Sequence, residues 1–315
     1  MEASKTETNN SLLALSQGLA AAVERVAPAV VAVNARPRVA TSGVHWRQGI
    51  VVSTNHTVRQ DEEITVMLHG GRTISAALAG RDPSTDLAVL RLDEGAAATD
   101  YEAIEFTDAA ELKAGHLVLA VGRVSEHGVS ASFGAVSATG DAWRTWRGGE
   151  IDRLIRLDLA IYLGFSGGAL VDAGGRILGI NTSGLSRGAG LTIPASTVNR
   201  VVNRILEKGT IRRGYLGVGM QPINLPESMR TALNLPASSG LIIVSVEPDG
   251  PAGKAGMLIG DVLIALNDAP VGDTDDVQGA LGPERVGQQS KASIVRGGAR
   301  TDLIVTVGER PPRGR

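Results

Sequence analysis

Apolar positions follow two different rhythms along this chain. Between Ser11 and Ala27, Leu12, Leu15, Leu19, Val23 and Val26 recur three or four residues apart, which is the spacing of one helical face. Ser11 suits the cap of that helix and Pro28 stops it. Residues 1–10 ahead of it are polar and read as a disordered tail. From Val30 onward the rhythm shortens into β-type runs: Val30–Val33, Gly49–Ser53, Ile64–Leu68, Ala76–Leu78, Ala88–Leu92, Leu117–Val121, Val129–Ala138, Leu154–Leu157, Ala169–Val171 and Ile177–Asn181. Turn signals such as His69-Gly-Gly71 and Ala173-Gly-Gly175 separate these runs, as in a sandwich or barrel. A helix over Pro194–Lys208 ends at Gly209 and marks a domain boundary. Beyond it, strand-like runs at Leu241–Val246, Val262–Leu266, Ala292–Arg296 and Leu303–Val307 surround a helix at Asp273–Leu281. The prediction is a mostly β chain: a domain over 11–208, a smaller α+β domain over 209–310 and a fraying tail at 311–315.

Composition narrows the function classes. A chain of 315 residues with 43% hydrophobic content has material for two packed cores. A net charge of −2 without basic clusters gives no electrostatic footprint for nucleic acid, and the Arg-flanked tryptophans of Trp143–Arg147 do not supply one. They fit a loop arm in which Arg stacks on Trp. The absence of Cys removes disulfides, thiolate metal sites and a thiol nucleophile. No His pair stands at metal-ligand spacing, so neither a metal nor another cofactor is expected. Leu12–Val33 is interrupted by Gln17, Glu24, Arg25 and Pro28, so it reads as neither a membrane span nor a signal peptide, and a soluble, cytoplasmic chain is expected as written. A processed form from the cell envelope would look the same.

The chemistry concentrates in Gly164-Phe-Ser-Gly-Gly168, a serine raised between glycines where one apolar run ends and another begins. Such a turn exposes a hydroxyl beside convergent backbone N–H groups, the two requirements of acyl transfer. Taken singly it is also ordinary turn chemistry. His56 follows an apolar strand, and Asp86 directly precedes another; each alone has a structural reading. Together His56, Asp86 and Ser166 stand in the chain order of the chymotrypsin-type triad, which subtilisins and α/β-hydrolases do not share.

At this point a resemblance becomes specific. Thr54-Asn-His-Thr-Val58, Ser84-Thr-Asp-Leu-Ala-Val-Leu90, Leu157-Asp-Leu-Ala-Ile161 with Gly164–Gly168, Gly179-Ile-Asn181 and Arg213-Gly-Tyr-Leu-Gly-Val218 resemble segments of the HtrA/Deg serine proteases, over about Leu19 to Gly308. The resemblance implies a chymotrypsin-like double β-barrel followed by a PDZ domain. It also implies a serine endopeptidase acting on unfolded or damaged protein, with Ser166 as nucleophile, His56 as base and Asp86 as its orienting acid. Gly164 and Ser166 would offer oxyanion-hole amides. Ala160, six residues before Ser166, stands where trypsin-type specificity needs an aspartate, so a basic P1 residue is not expected. Leu163, Thr182 and Ser183 are candidate pocket-lining residues with Ala160. Tyr215, Leu216, Gly217 and Val218 would form a loop for a peptide carboxylate, with Val277 and Leu281 facing its last side chain. In the family, the loop at Trp143–Arg147 senses the peptide-bound PDZ domain.

Phe165 and Ala169 depart from the family pattern. The bulk of Phe165 suggests a flipped Gly164 amide and a resting, unformed oxyanion hole. It also keeps open a second reading, a non-catalytic peptide-binding or chaperone-like protein on an inert scaffold. The family's aromatic trimer contacts are not evident before Trp46, so a homo-oligomer is not established and the first helix is expected to pack in cis.

Overall fold

The computed structural model describes residues 2–93, 105–107, 109–125, 128–186, 188, 190–209, 214–235 and 237–309. The expected tail at 311–315 and Arg213 of the loop motif lie outside these. The chain divides into two compact units, Met1–Ile211 and Arg212–Arg315, a few residues later than the boundary read at 208/209.

In the first unit, strands β1 (Val30–Asn34), β2 (Thr41–Arg47), β3 (Ile50–Thr54), β4 (Ile64–Met67), β5 (Thr73–Asp82) and β6 (Leu87–Leu92) close into a barrel ordered β1-β2-β3-β6-β5-β4. There follow β7 (Leu117–Ser125), β8 (Gly128–Gly140), the short strands β9 (Trp143–Arg144) and β10 (Glu150–Ile151), then β11 (Leu154–Asp158), β12 (Ala169–Asp172), β13 (Ile177–Thr182) and β14 (Gly190–Pro194). Six of them close a second barrel ordered β11-β14-β13-β12-β7-β8, while β9 and β10 pair with each other as a separate hairpin.

The unbroken apolar runs of the sequence have a direct cause. Alternate side chains of one strand serve different cores, as the period-2 geometry of a strand requires. Val31, Val33, Val51, Ala88 and Leu90 fill the first barrel. Their neighbours Val30, Val52, Leu87 and Val89 point the other way, into a core shared with Leu119, Val121, Ala169, Val171 and Ile180 of the second barrel. Strands buried on both faces carry no polar alternation. Val198, Val201, Val202 and Ile205 of the helix Ala195–Lys208 seal the same core. That helix is fixed by Trp46 Nε1 donating to Asn199 Oδ1 at 2.8 Å and by Arg47 donating to Asn203 Oδ1 at 2.7 Å.

Two expectations change. The first helix spans Glu2–Val26, so residues 2–10 are helical rather than a disordered tail; no Pro or Gly interrupts them. Its C-terminal end packs: Ala22 and Val26 are buried, whereas Leu12 is 62% and Leu13 56% exposed. The strands β2 and β14 went unrecognised. β2 carries Gly43 and His45 in place of an apolar run, yet is buried almost throughout. A Cβ on Gly43 would stand 2.8 Å from Val33 Cγ2, so glycine there lets β1 and β2 lie close.

The second unit is a sheet ordered β16-β17-β18-β20-β21, from β16 (Val218–Asn224), β17 (Ser239–Val246), β18 (Val262–Leu266), β20 (Gln289–Arg296) and β21 (Ala299–Thr306). β15 (Gly214–Tyr215) pairs with β22 (Gly308–Glu309), and β19 (Ala269–Pro270) pairs with β18. Helices Glu227–Leu233, Pro251–Lys254 and Thr274–Ala280 accompany the sheet. Asp261, 2% exposed, accepts both prongs of the Arg296 guanidinium at 2.8 and 2.7 Å and the Leu258 N–H at 2.8 Å. Burial by itself would raise this carboxyl, but the Arg296 and Leu258 donors outweigh it and hold its pKa below the usual carboxylate value. A depressed folded-state pKa adds stability above the unfolded-state value of about 3.9, lost as pH falls through the lower folded one. Asp261→Asn is therefore expected to destabilise this unit at neutral pH by about 1–2 kcal/mol, the guanidinium being partly exposed. Calorimetry should show that deficit shrinking as pH falls below about 4. A deficit independent of pH would place the effect elsewhere.

Candidate active site

Pairing of β3 with β6 aligns Thr54 with Leu87, so the residues just past one end and just before the other, His56 and Asp86, become neighbours. His56 Nδ1 lies 2.8 Å from Asp86 Oδ2, and the His56 backbone N–H donates to Asp86 Oδ1 at 2.9 Å. The Asn55 N–H donates to the Asp86 carbonyl at 2.9 Å. Asp86 itself adopts a left-handed backbone, φ 61°, a conformation that Asp tolerates better than most residues. The turn before it is built on Asp82, whose carboxylate accepts the Ser84 N–H at 3.0 Å and the Thr85 hydroxyl at 2.9 Å.

The hairpin of β9 and β10 docks on this turn. Thr145 Oγ1 donates to the Ser84 carbonyl at 2.6 Å, and a Cβ on Gly149 would meet the same oxygen at 2.3 Å. Arg147 stacks over Trp146, 4.5 Å from its ring centroid, as the sequence suggested.

The serine comes from the other barrel. Ser166 precedes β12, and the pairing of Ala169 with Ile180 carries the end of β13 alongside it. Gly167 donates to the Asn181 carbonyl at 2.8 Å, with φ 91° and its α-carbon packed so closely that a Cβ would stand 2.1 Å from the Ser42 carbonyl. Only glycine fits there. Thr182, at the end of β13, donates to Asp86 Oδ2 at 2.6 Å. The acid therefore receives His56 from the first barrel and Thr182 from the second. The sequence reading gave Thr182 to the substrate pocket. The structure makes it a partner of the acid, and at a sequence separation of 96 no local signal betrays that pairing.

Ser183 also differs from its expected place. Its hydroxyl lies 3.0 Å from Ser166 Oγ, and its backbone N–H donates to that oxygen at 3.3 Å. Ser166 Oγ is thus held by Ser183 and makes no hydrogen bond to His56. Ala160 is exposed and Leu163 is 75% exposed, so neither is enclosed in a pocket. The reason is the turn Tyr162–Phe165, closed by Phe165 N–H donating to the Tyr162 carbonyl at 2.9 Å. It throws Leu163 outward and buries Phe165, 4% exposed, against Gly122 and edge-on to Tyr162 at 5.4 Å.

With φ 90° at its third position, Gly164 gives that turn the type II form. The Gly164 carbonyl is held by the Ser42 N–H at 2.8 Å and the Ser42 hydroxyl at 2.6 Å, while the Ser166 carbonyl accepts the Thr41 hydroxyl at 2.7 Å. The carbonyls of Gly164 and Ser166 are engaged in this way; their N–H groups donate to no acceptor among the described residues.

In the second unit, β16 lies at the edge of its sheet, paired with β17 alone. The loop before it turns at Gly217, φ 78°, and the Leu216 and Gly217 carbonyls accept the Ala252 and Glu247 N–H groups at 2.8 Å each. The Leu216 and Gly217 N–H groups donate to nothing among the described residues. Leu216, Val277 and Leu281 are buried in one cluster, with Val218 packed against it. Tyr215 hydrogen-bonds Glu247 through its hydroxyl instead of facing a groove.

Comparisons with known proteins agree with this architecture. Residues 41–180 match the trypsin-like peptidase domain and residues 214–307 the PDZ domain. A probable periplasmic serine endoprotease, DegP-like, from Brucella suis is 35% identical over 282 residues, covering 88% of this chain and 54% of its own length. One of the same description from Pseudomonas putida is 34% identical over 268 residues, with 84% and 54% covered. The chain thus spans about half the length of the curated relatives it matches. Among solved structures, an HtrA-type protease AlgW with decapeptide aligns with TM-score 0.68 and 31% identity, covering 94% of this chain and 99% of that one. A serine endoprotease from Yersinia pestis gives 0.69 and 30%, with 92% and 97% covered. The relatives' naming as periplasmic corrects the cytoplasmic expectation and points to the cell envelope. Compartment is set by an address that export machinery reads, and the packed fold carries no trace of it. Among the described residues no helix is long and apolar enough to cross a membrane. On its fold, its two domain matches and its likeness over nearly all of the AlgW chain, this protein belongs to the HtrA-type serine endoprotease family, a trypsin-like peptidase domain followed by a PDZ domain.

Proposed function

We propose that the chain hydrolyses peptide bonds in unfolded polypeptides with Ser166 as nucleophile, His56 as general base and acid, and Asp86 as the group that orients it. The observation that carries this reading is the Asp86 carboxylate, 4% exposed, accepting from His56 and Thr182 together. With Nδ1 donating to Asp86, the proton sits on that nitrogen and Nε2 is left as the base. Ser166 Oγ first leaves Ser183 by a side-chain rotation. It then attacks the scissile carbonyl while Nε2 takes its proton. The C=O electron pair moves onto oxygen, where the free N–H groups of Gly164 and Ser166 would receive it. Collapse breaks the C–N bond, His56 protonates the departing amine, and water hydrolyses the acyl-enzyme by the same steps. A peptide C-terminus is captured separately in the second unit, its carboxylate at the Leu216 and Gly217 amides and its strand beside β16.

A second reading, a peptide-binding protein on a resting scaffold, is favoured by one observation: the Ser166 hydroxyl is bonded to Ser183 and not to His56. Its counterweight is the pair of unengaged amides at Gly164 and Ser166.

Three outcomes test these assignments. Ser166→Ala is expected to lower casein hydrolysis at least about 1,000-fold with the circular dichroism spectrum unchanged; an unaltered rate would overturn the assignment. Ser183→Ala removes the competing hydroxyl and should accelerate fluorophosphonate labelling of Ser166 several-fold, whereas a slower reaction would show that Ser183 assists the nucleophile. In anisotropy titrations, a peptide with a free C-terminal carboxylate should bind at least about tenfold more tightly than its C-terminal amide, one tenfold step being about 1.4 kcal/mol. Equal affinities would remove the carboxylate from the binding model.

A further inference from the structure

One charged group of the first unit lies outside the machinery described above. Arg123 on β7 is 3% exposed, a burial that arginine seldom reaches unless it is paired. Here no carboxylate among the described residues meets it. Its Nε donates to the Val30 carbonyl at 2.7 Å and its Nη2 to the Ala27 carbonyl at 3.2 Å, and Nη2 lies 3.2 Å from His69 Nδ1. All three are neutral partners. Burial holds the guanidinium below its usual pKa, with no acidic group acting in the other direction. A buried charge without a counter-charge is costly, and an anion supplied from outside relieves that cost.

The surroundings leave room for one. Arg123 lines a pocket of about 690 Å³ together with Ala27, His69, Gly70, Gly71, Gly128 and Val129. Gly70 and Gly71 have φ of 87° and 86°, and nothing lies within 4 Å of where a Cβ on either would stand. Their side of the pocket is therefore open. Among the described residues that line it there is no carboxylate. Where His69 Nδ1 accepts from Arg123 Nη2, the imidazole proton is on Nε2, which makes the exposed edge of the ring a donor. Arg123 Nη1 has no acceptor among the described protein groups. The pocket thus combines a buried positive charge, unspent donors and a glycine wall. We propose that it binds a small oxyanion, a phosphate or a carboxylate, between Arg123 Nη1 and the His69 ring. The site is independent of the hydrolytic reading. It nonetheless adjoins the oxyanion loop, because the Arg123 backbone N–H donates at 2.9 Å to the Ser42 hydroxyl that holds the Gly164 carbonyl.

The test is calorimetric titration of the full chain with inorganic phosphate and, separately, with acetate, ionic strength being held constant with chloride. Saturable one-to-one binding is expected for at least one of the two, and which one binds identifies the source of the oxyanion. His69→Ala, a change on an exposed hairpin tip, should weaken binding at least about fivefold with the circular dichroism spectrum of the free protein unchanged. Arg123→Gln should abolish it. Should Arg123→Gln fail to fold, because it loses bonds to Val30 and Ala27, the His69→Ala titration decides alone. Absence of binding by both anions, or an affinity that His69→Ala leaves unchanged, would overturn the proposal and reduce Arg123 to a tie between β7 and the chain segment preceding β2.

Discussion

The carboxylate of Asp86 is where a hydrogen-bond network crosses from one barrel to the other. From its own barrel it receives the His56 ring and backbone; from the second barrel it receives the Thr182 hydroxyl. A buried carboxylate is tolerable only when its lone pairs are filled by well-placed donors, and these donors come from two different barrels. The site is therefore assembled by the packing of the barrels. That packing comes from the shared apolar core, to which each strand lends every second side chain. Loss of the core would leave Asp86 with a half-filled shell and the imidazole without its guide.

The serine turn is held by the same logic of close approach. β2 of the first barrel grips the Gly164 and Ser166 carbonyls through Ser42 and Thr41. Gly167 must lack a Cβ because the Ser42 carbonyl occupies its place. With the carbonyls of this turn held by β2, its amides at Gly164 and Ser166 remain unspent. Phe165, the bulky departure from the family pattern, does not point into the site. It turns inward, and the bare backbone of Gly122 makes space for its ring. Its size is absorbed by the second barrel, and Gly164 keeps the positive φ of a type II turn.

Much of this was legible in the chain itself. Runs such as Val30–Val33 and Ala88–Leu92 read as strands because both faces are largely buried, and the Val198–Ile205 periodicity reads as a helix because one face is. His56, Asp86 and Ser166 stood out because each occupies a turn flanked by such runs. β2 escaped notice because its burial is imposed by neighbours and its own composition does not announce it. Residues 2–10 of the first helix read as a tail because polar residues carry no amphipathic signal, although nothing in them breaks a helix.

The sequence by itself determined the two-domain β architecture, the family and the identity of the candidate triad, since these depend on local periodicity and on short motifs. Tertiary structure alone decided which donors reach Asp86, that Ser166 rests against Ser183, that Leu163 faces outward, and that Arg123 is buried with no carboxylate among the described residues beside it. Each of these is a meeting of residues distant along the chain. Such meetings follow from how closed barrels register and pack, and no window of sequence contains that information.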